Sequence, residues 1–157
     1  TVGTKGSGNG QLFFPRGIDV DRQGNLYVAD AGNHRIEKFS KDGLFIAAWG
    51  QYGKGTGKLL YPFGLAVDPT YNIVYVTDPA NDNVVSLYST TGTLLYSWNL
   101  APIENNQYDG GGGIVGGIIG YGNGDFVVAT AHKLTRYSIL NPTIDNNQNG
   151  IPDSLEN

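Results

Sequence analysis

An all-β fold assembled from repeated four-stranded antiparallel sheets is what this 157-residue sequence predicts, and three observations predict it. The first is self-similarity. Leu12-Phe13-Phe14-Pro15-Arg16-Gly17-Ile18-Asp19-Val20-Asp21 recurs 47 residues later as Leu59-Leu60-Tyr61-Pro62-Phe63-Gly64-Leu65-Ala66-Val67-Asp68, and a period of this size marks a repeat architecture. The second is alternation with a period of two, the signature of a strand. Ile18 and Val20 point one way while Asp19 and Asp21 point the other, and Leu26 and Val28 alternate with Tyr27 and Ala29. The third is composition. Glycine supplies 24 residues, roughly twice its usual share of about 7%, and charged residues are 15% where about 25% is typical. Short strands joined by tight turns account for that profile better than helices do.

The elements follow in order. Gly3, Gly6, Gly8, Gly10 and Leu12 align with Gly50, Gly53, Gly55, Gly57 and Leu59 at the same shift, so the chain opens on the tail end of a preceding repeat. The first full repeat runs over about 12–50, its strands separated by the turn signals Gln23-Gly24-Asn25, Ala31-Gly32-Asn33 and Lys41-Asp42-Gly43. The second runs over about 59–98: Asn72 to Asp78 repeats Asn25 to Asp30 with one added residue, and Ser89 to Trp98 repeats Ser40 to Trp49. A degenerate third, about 113–140, matches through Gly124 to Ala129 and His132 to Ser138 but lacks a glycine-to-tryptophan fourth strand. Four short antiparallel strands in about 45 residues describe one propeller blade. The expectation is a partial β-propeller over 1–140, with two full blades and one partial, followed by a short irregular tail over 141–157.

Pro15-x-Gly17-Ile18-x-Val20-Asp21, then Gly24-Asn25-Leu26-Tyr27-Val28-Ala29-Asp30-x-Gly32-Asn33-His34-Arg35-Ile36, then Phe39-x-x-Asp42-Gly43 closely resembles the NHL repeat. The resemblance covers Thr1 to Ser138. It is nearly complete in the first two copies and lacks the Pro-x-Gly opening in the third. It implies a propeller that commonly closes with about six blades. Three blades cannot close a ring, and an open arc leaves apolar faces and strand edges in water. Two readings remain: a piece of a longer propeller, which the start at Thr1 without methionine favours, or self-association, for instance two chains of three blades.

The sharpest chemical signal is C-terminal. Asp145 to Glu156 matches D-x-[DN]-x-[DN]-G-x5-E at every specified position. A hard cation wants six to eight oxygens, and Asp145, Asn147, Asn149, the Ile151 carbonyl, Asp153 and Glu156 stand at the ligating positions, with Gly150 at the sharp turn. The segment resembles the EF-hand-like calcium loops of dockerins and thrombospondin type-3 repeats. Pro142 and a strand-like 137–140 replace the usual entering helix. Three charged ligands predict weak Ca²⁺ binding, on the order of 10⁻⁴–10⁻³ M. The plain alternative is an Asn/Asp-rich turn.

Other patterns exclude more than they assert. A net charge of −4 argues against nucleic acid as a partner, single-stranded RNA included. No apolar run approaches the ~18 residues of a membrane span. The absence of cysteine removes disulfides, thiolate nucleophiles and Cys-based metal sites. His34 and His132 share one repeat position, which accounts for both without a metal. Asp30 and Asp78, with Asn33 and Asn81, read as caps of turn amides, and Trp49 and Trp98 as packing between blades. Gly111-x-Gly113-x-x-Gly116 lacks the following helix that a dinucleotide fingerprint needs. Gly53-Lys54-Gly55-Thr56-Gly57-Lys58 is an inter-blade loop and not a phosphate loop.

Propellers of this kind bind through the loops between blades and between second and third strands, which share a face. That implies His34, Tyr52, Lys54 and Asp82 as partner contacts. The expected function is a non-catalytic protein-interaction or assembly module of an exported or cell-surface microbial protein. The alternative is a propeller enzyme of the lyase or lactonase class with a metal in the central channel.

Overall fold

The computed structural model describes residues 1–99, 114–130 and 134–139. Two short strands, β1 (Thr4–Lys5) and β2 (Gln11–Leu12), pair in parallel ahead of the first blade. Blade one is β3 (Pro15–Val20), β4 (Leu26–Asp30), β5 (Arg35–Phe39) and β6 (Phe45–Trp49), antiparallel in sequence order. A 3₁₀ turn, Ala31–Asn33, joins β4 to β5. Blade two repeats the order with β7 (Leu65–Asp68), β8 (Ile73–Asp78), β9 (Val84–Ser89) and β10 (Leu94–Asn99). Blade three has β11 (Ile114–Gly120), β12 (Asp125–Thr130) and β13 (Leu134–Ser138). Among the described residues no helix is long and apolar enough to cross a membrane.

The hairpins form where their turn residues demand it. Gly43 and Gly92, at equivalent places between third and fourth strands, take φ values of +85° and +95°, a region open to glycine at no steric cost. The Ser40 hydroxyl accepts the Asp42 and Leu44 amides, and the Ser89 hydroxyl accepts those of Thr91 and Thr93. Each turn therefore closes on its own serine.

First strands lie side by side, so the blades are arrayed about a shared inner edge. Gly17 shows how close they come: a Cβ there would sit 2.6 Å from the Leu65 nitrogen and the Phe63 oxygen, and the Gly17 amide donates to Phe63 O at 2.7 Å.

Two apolar layers hold the arc together. Between blades one and two, Tyr27, Ala29 and Ile36 meet Leu65, Val67, Val74, Val76 and Tyr88. Trp49 caps this layer, its ring 6.2 Å from Tyr27 and 6.3 Å from Tyr88. Between blades two and three, Tyr75, Val85, Leu87 and Trp98 meet Phe126, Val128 and Tyr137. Tyr75 stacks on Phe126 at 4.5 Å, and Phe126 on Tyr137 at 5.3 Å. Both tryptophans pack between blades.

Strand β8 is buried along its whole length because Val74 and Val76 face blade one while Tyr75 faces blade three, as a strand covered on both faces should be. Among the described residues blade one has a neighbouring blade on one side alone. Asp19 reaches blade two, where its Oδ2 accepts the Val67 amide at 2.8 Å. The alternation then turns Ile18 and Val20 the other way, and they remain 60% and 48% exposed.

Candidate functional site

The loops nominated by the sequence lie along one rim, where second-strand ends meet the inter-blade segments. Strand β4 ends at Asp30, and the 3₁₀ turn carries the chain to His34, whose φ of 58° is left-handed. The equivalent turn of blade two places Asp82 and Asn83 at φ 53° and 59°. Asn and Asp tolerate that region better than most residues.

The aspartates at the strand ends reach beyond their own turns. Asp30 makes no side-chain cap on the 3₁₀ turn. Its Oδ1 accepts the Phe13 amide at 2.7 Å, and its Oδ2 accepts Asn33 Nδ2 at 2.7 Å and Arg35 Nε at 3.0 Å. Asp78 likewise accepts the Leu60 amide at 2.6 Å and the Tyr61 amide at 3.0 Å. Each carboxylate thus ties the end of a second strand to the segment leading into the first strand of its blade. The physical reason is burial: both carboxylates are essentially inaccessible, and the nearest unpaired donors are the amides of the incoming segment.

The asparagines complete the tie. Asn33 Nδ2 donates to Gly6 O at 2.8 Å. Asn81 Oδ1 accepts the Gly55 amide at 2.7 Å, and its Nδ2 donates to the Gly55 and Lys58 carbonyls at 3.0 and 2.9 Å. In blade one Arg35 adds bonds to the carbonyls of Ser7, Gly8 and Gln11 at 3.0, 2.8 and 2.8 Å. It also pairs with the buried Glu37 at 2.8 Å. The glycine-rich segments are inter-blade loops pinned backbone-first from below.

Burial holds the Asp78 carboxyl above its usual range, against the opposing amides of Leu60, Tyr61 and Asn81 and the neighbouring His34. Burial raises Glu37 as well, opposed by Arg35 and the Gly10 amide.

On this pinned platform the four nominated residues stand as two pairs. The His34 ring donates Nδ1–H to the Leu60 carbonyl and lies tilted against Tyr52, centroids 4.4 Å apart. Tyr52 is 66% exposed. Lys54 Nζ lies 3.6 Å from Asp82 Oδ1, both side chains largely in solvent. His34 joins the pairs to the platform, since Leu60 is also the residue whose amide Asp78 holds. His132 and the loop residues Asp145, Asn147, Asn149, Ile151, Asp153 and Glu156 lie outside the described residues.

Sequence reasoning missed Arg35 as the hub of blade one and the reach of both aspartates. The signal was present: each Asp-x-x-Asn sits downstream of a Gly-x-Gly-x-Gly segment, in both full repeats.

Comparison with known proteins agrees with the sheet architecture. The family described as NHL repeat matches residues 14–39. The chain is 51% identical over 47 residues to Protein lin-41 of Caenorhabditis elegans, covering 30% of this chain and 4% of that protein. It is 36% identical over 96 residues to Protein brain tumor of Drosophila melanogaster, covering 61% and 9%. The chain thus spans less than a tenth of the length of either relative. Among solved structures, the streptogramin B lyase superposes with a TM-score of 0.52 at 21% identity, over 82% of this chain and 41% of that one. At that identity the likeness speaks for the fold alone. Residues 14–39 match the NHL repeat, and the chain that carries them is an arc of β-propeller blades.

Proposed function

We propose that the chain is a non-catalytic interaction module that engages a protein partner through the rim bearing His34, Tyr52, Lys54 and Asp82. The observation that carries this reading is the pinning itself. An exposed tyrosine backed by a half-buried imidazole and an exposed ion pair rise from loops whose backbones are tied to buried Asp78 and Asn81. A surface ordered in advance loses little conformational entropy when a partner docks. Tyrosine is also among the side chains enriched where binding energy concentrates.

The test is site-specific photocrosslinking in the native host. A benzophenone side chain at position 52 is expected to give a discrete adduct that is lost on Lys54→Ala/Asp82→Ala. The same group at Thr91, on the opposite rim, gives none. Equal labelling from both positions, or none from position 52, overturns the reading.

The same reading places the module outside the cell, with weak calcium binding by Asp145, Asn147, Asn149, Ile151, Asp153 and Glu156. The sequence pattern supports it, and millimolar extracellular calcium suits a site of this charge count. Calorimetry at millimolar Ca²⁺ should register saturable heat that Glu156→Ala abolishes; no heat in the full chain refutes calcium binding while leaving the rim untouched.

A further inference from the structure

The inner edge of the arc carries a second feature, separate from the rim pairs. Where the first strands of the three blades approach one another, they enclose an open cavity of about 420 Å³ whose walls include Ile18, Phe63, Leu65 and Ile118. Among the described residues its one charged lining group is Arg16. Arg16 and Phe63 are equivalent residues of successive repeats, the variable position within Pro-x-Gly. The packing of the blades therefore brings this position from two blades to one place.

Arg16 is held there by aromatic rings. Its guanidinium carbon lies 5.6 Å from the Tyr61 ring centroid and 5.4 Å from that of Phe63, and Nη2 donates to the Tyr61 hydroxyl at 3.2 Å. Stacking of this kind orients a guanidinium without consuming its N–H donors. Among the described residues one of its five donors is engaged and no carboxylate lies within salt-bridge distance. Tyr61, having accepted from Arg16, keeps its own hydroxyl hydrogen to donate.

Three other cations of the blades are matched by carboxylates, whereas Arg22 reaches the Thr70 hydroxyl at 3.0 Å with no aromatic ring or cavity beside it among the described residues. Arg35 is spent on Asp30, Glu37 and three carbonyls. Lys54 pairs with Asp82, and Arg136 with Asp125. Arg16 is oriented yet unpaired by charge, beside a cavity with apolar walls.

Beside it the chain stores backbone strain. Phe14 has a φ of 49° with its ring 59% exposed, a conformation uncommon for a bulky side chain. It lies against Phe13 at 4.5 Å, on the approach to Pro15 and Arg16. Strain of this kind persists where surrounding structure over-determines it, and it concentrates at ligand clamps.

From the unpaired guanidinium, the free Tyr61 hydroxyl and the apolar walls, we infer that this cavity binds a carboxylate borne on an apolar body. Arg16 and Tyr61 hold the carboxylate, and Phe63 and Ile118 receive the body. The chemistry is shared by small aryl-alkyl acids and by the free C-terminus of a peptide ending in an apolar residue. A few convergent polar groups in an otherwise apolar cleft are the usual make-up of such a site, and an arginine fork matches a carboxylate in a bidentate manner.

The experiment is calorimetric titration of the full chain with four probes: 3-phenylpropionate, 3-phenylpropionamide, N-acetyl-Gly-Phe with a free carboxylate, and the same dipeptide amidated. The expected result is saturable binding of at least one acid, with its amide weaker by about tenfold or more, the usual worth of a charge-assisted hydrogen bond. Tighter binding of the peptide acid identifies a chain terminus as the natural ligand; tighter binding of phenylpropionate identifies a small acid. Arg16→Gln should abolish the preference for acid over amide, and Arg16→Lys should retain part of it. Both variants are made at an exposed side chain and should keep the wild-type melting temperature. Equal affinity for acid and amide, no saturable heat with either acid, or an Arg16→Gln variant that still prefers acids overturns the proposal. None of these results bears on crosslinking at Tyr52.

Discussion

Blade one and blade two fasten the same rim with the same two side chains, yet they neutralise the buried charge differently. In blade one Asp30 has Arg35 beside it, and the arginine also gathers Glu37 and three loop carbonyls. In blade two the residue paired across from Asp78 is Val84, and the carboxylate is held by backbone amides, those of Leu60 and Tyr61 foremost. Asn81 takes over the loop, with three hydrogen bonds to the Gly55–Lys58 segment. The difference teaches that the repeat fixes where the tie is made and leaves open how its charge is balanced. An ion pair and a set of amides fill the same place.

The comparison can be broken most severely at Arg35. Arg35→Met leaves Asp30 and Glu37 buried without their counter-charge, and removing one partner of a buried pair costs about 3–5 kcal/mol. Urea unfolding of the full chain should register that loss. A smaller effect is expected at the asparagines. Asn81→Ala orphans the carbonyls and amide of the loop, at about 1–3 kcal/mol. Asn33→Ala should cost less, because Arg35 still holds Ser7, Gly8 and Gln11. Equal losses at the two sites would mean that the arginine contributes nothing to the loop.

Acidity sharpens the contrast further. The folded state raises the Asp78 carboxyl above its ordinary 3.8, burial being the main cause. Folding then takes up a proton in the window above that value. The associated stability is complete below about pH 3.8 and is lost as pH climbs through the folded pKa. Asp78→Asn lacks this dependence. The stability of wild type minus that of the variant should therefore be larger at pH 4 than at pH 7, measured by denaturant midpoints. The smallest effect belongs to Lys54→Ala. Its ion pair with Asp82 is largely in solvent, so stability should change by less than about 1 kcal/mol, while the crosslink from position 52 weakens.

Much of the fold was legible because it is written twice. The 47-residue shift and the two-residue alternation carry the strands, the turns and the role of Trp49 and Trp98. What alternation alone could not say is which face is covered. Ile18 and Val20 have the pattern of a core, yet they stay exposed because their face of blade one is turned away from blade two. Val74 and Tyr75 are both buried because blade two has a neighbour on each side.

At the rim, the positions of His34, Tyr52, Lys54 and Asp82 followed from loop location, but their pairing did not. His34 meets Leu60 across 26 residues, and Asp30 meets Phe13 across 17. Those partners lie beyond any local window, which is why the aspartates read as turn caps. Arg16 carries no local signal for a related reason. Its company, Tyr61 and Phe63, belongs to the next repeat.

The hairpin ends on the far side of the sheets carry a practical lesson. There Ser40 and Ser89 each satisfy the amides of their own turn, whereas the rim is stitched from one repeat to the next. A peptide tag or foreign loop grafted after Asp42 interrupts no stitch and should leave the molecule foldable. The same graft within Gly53–Lys58 would unpick two blades at once.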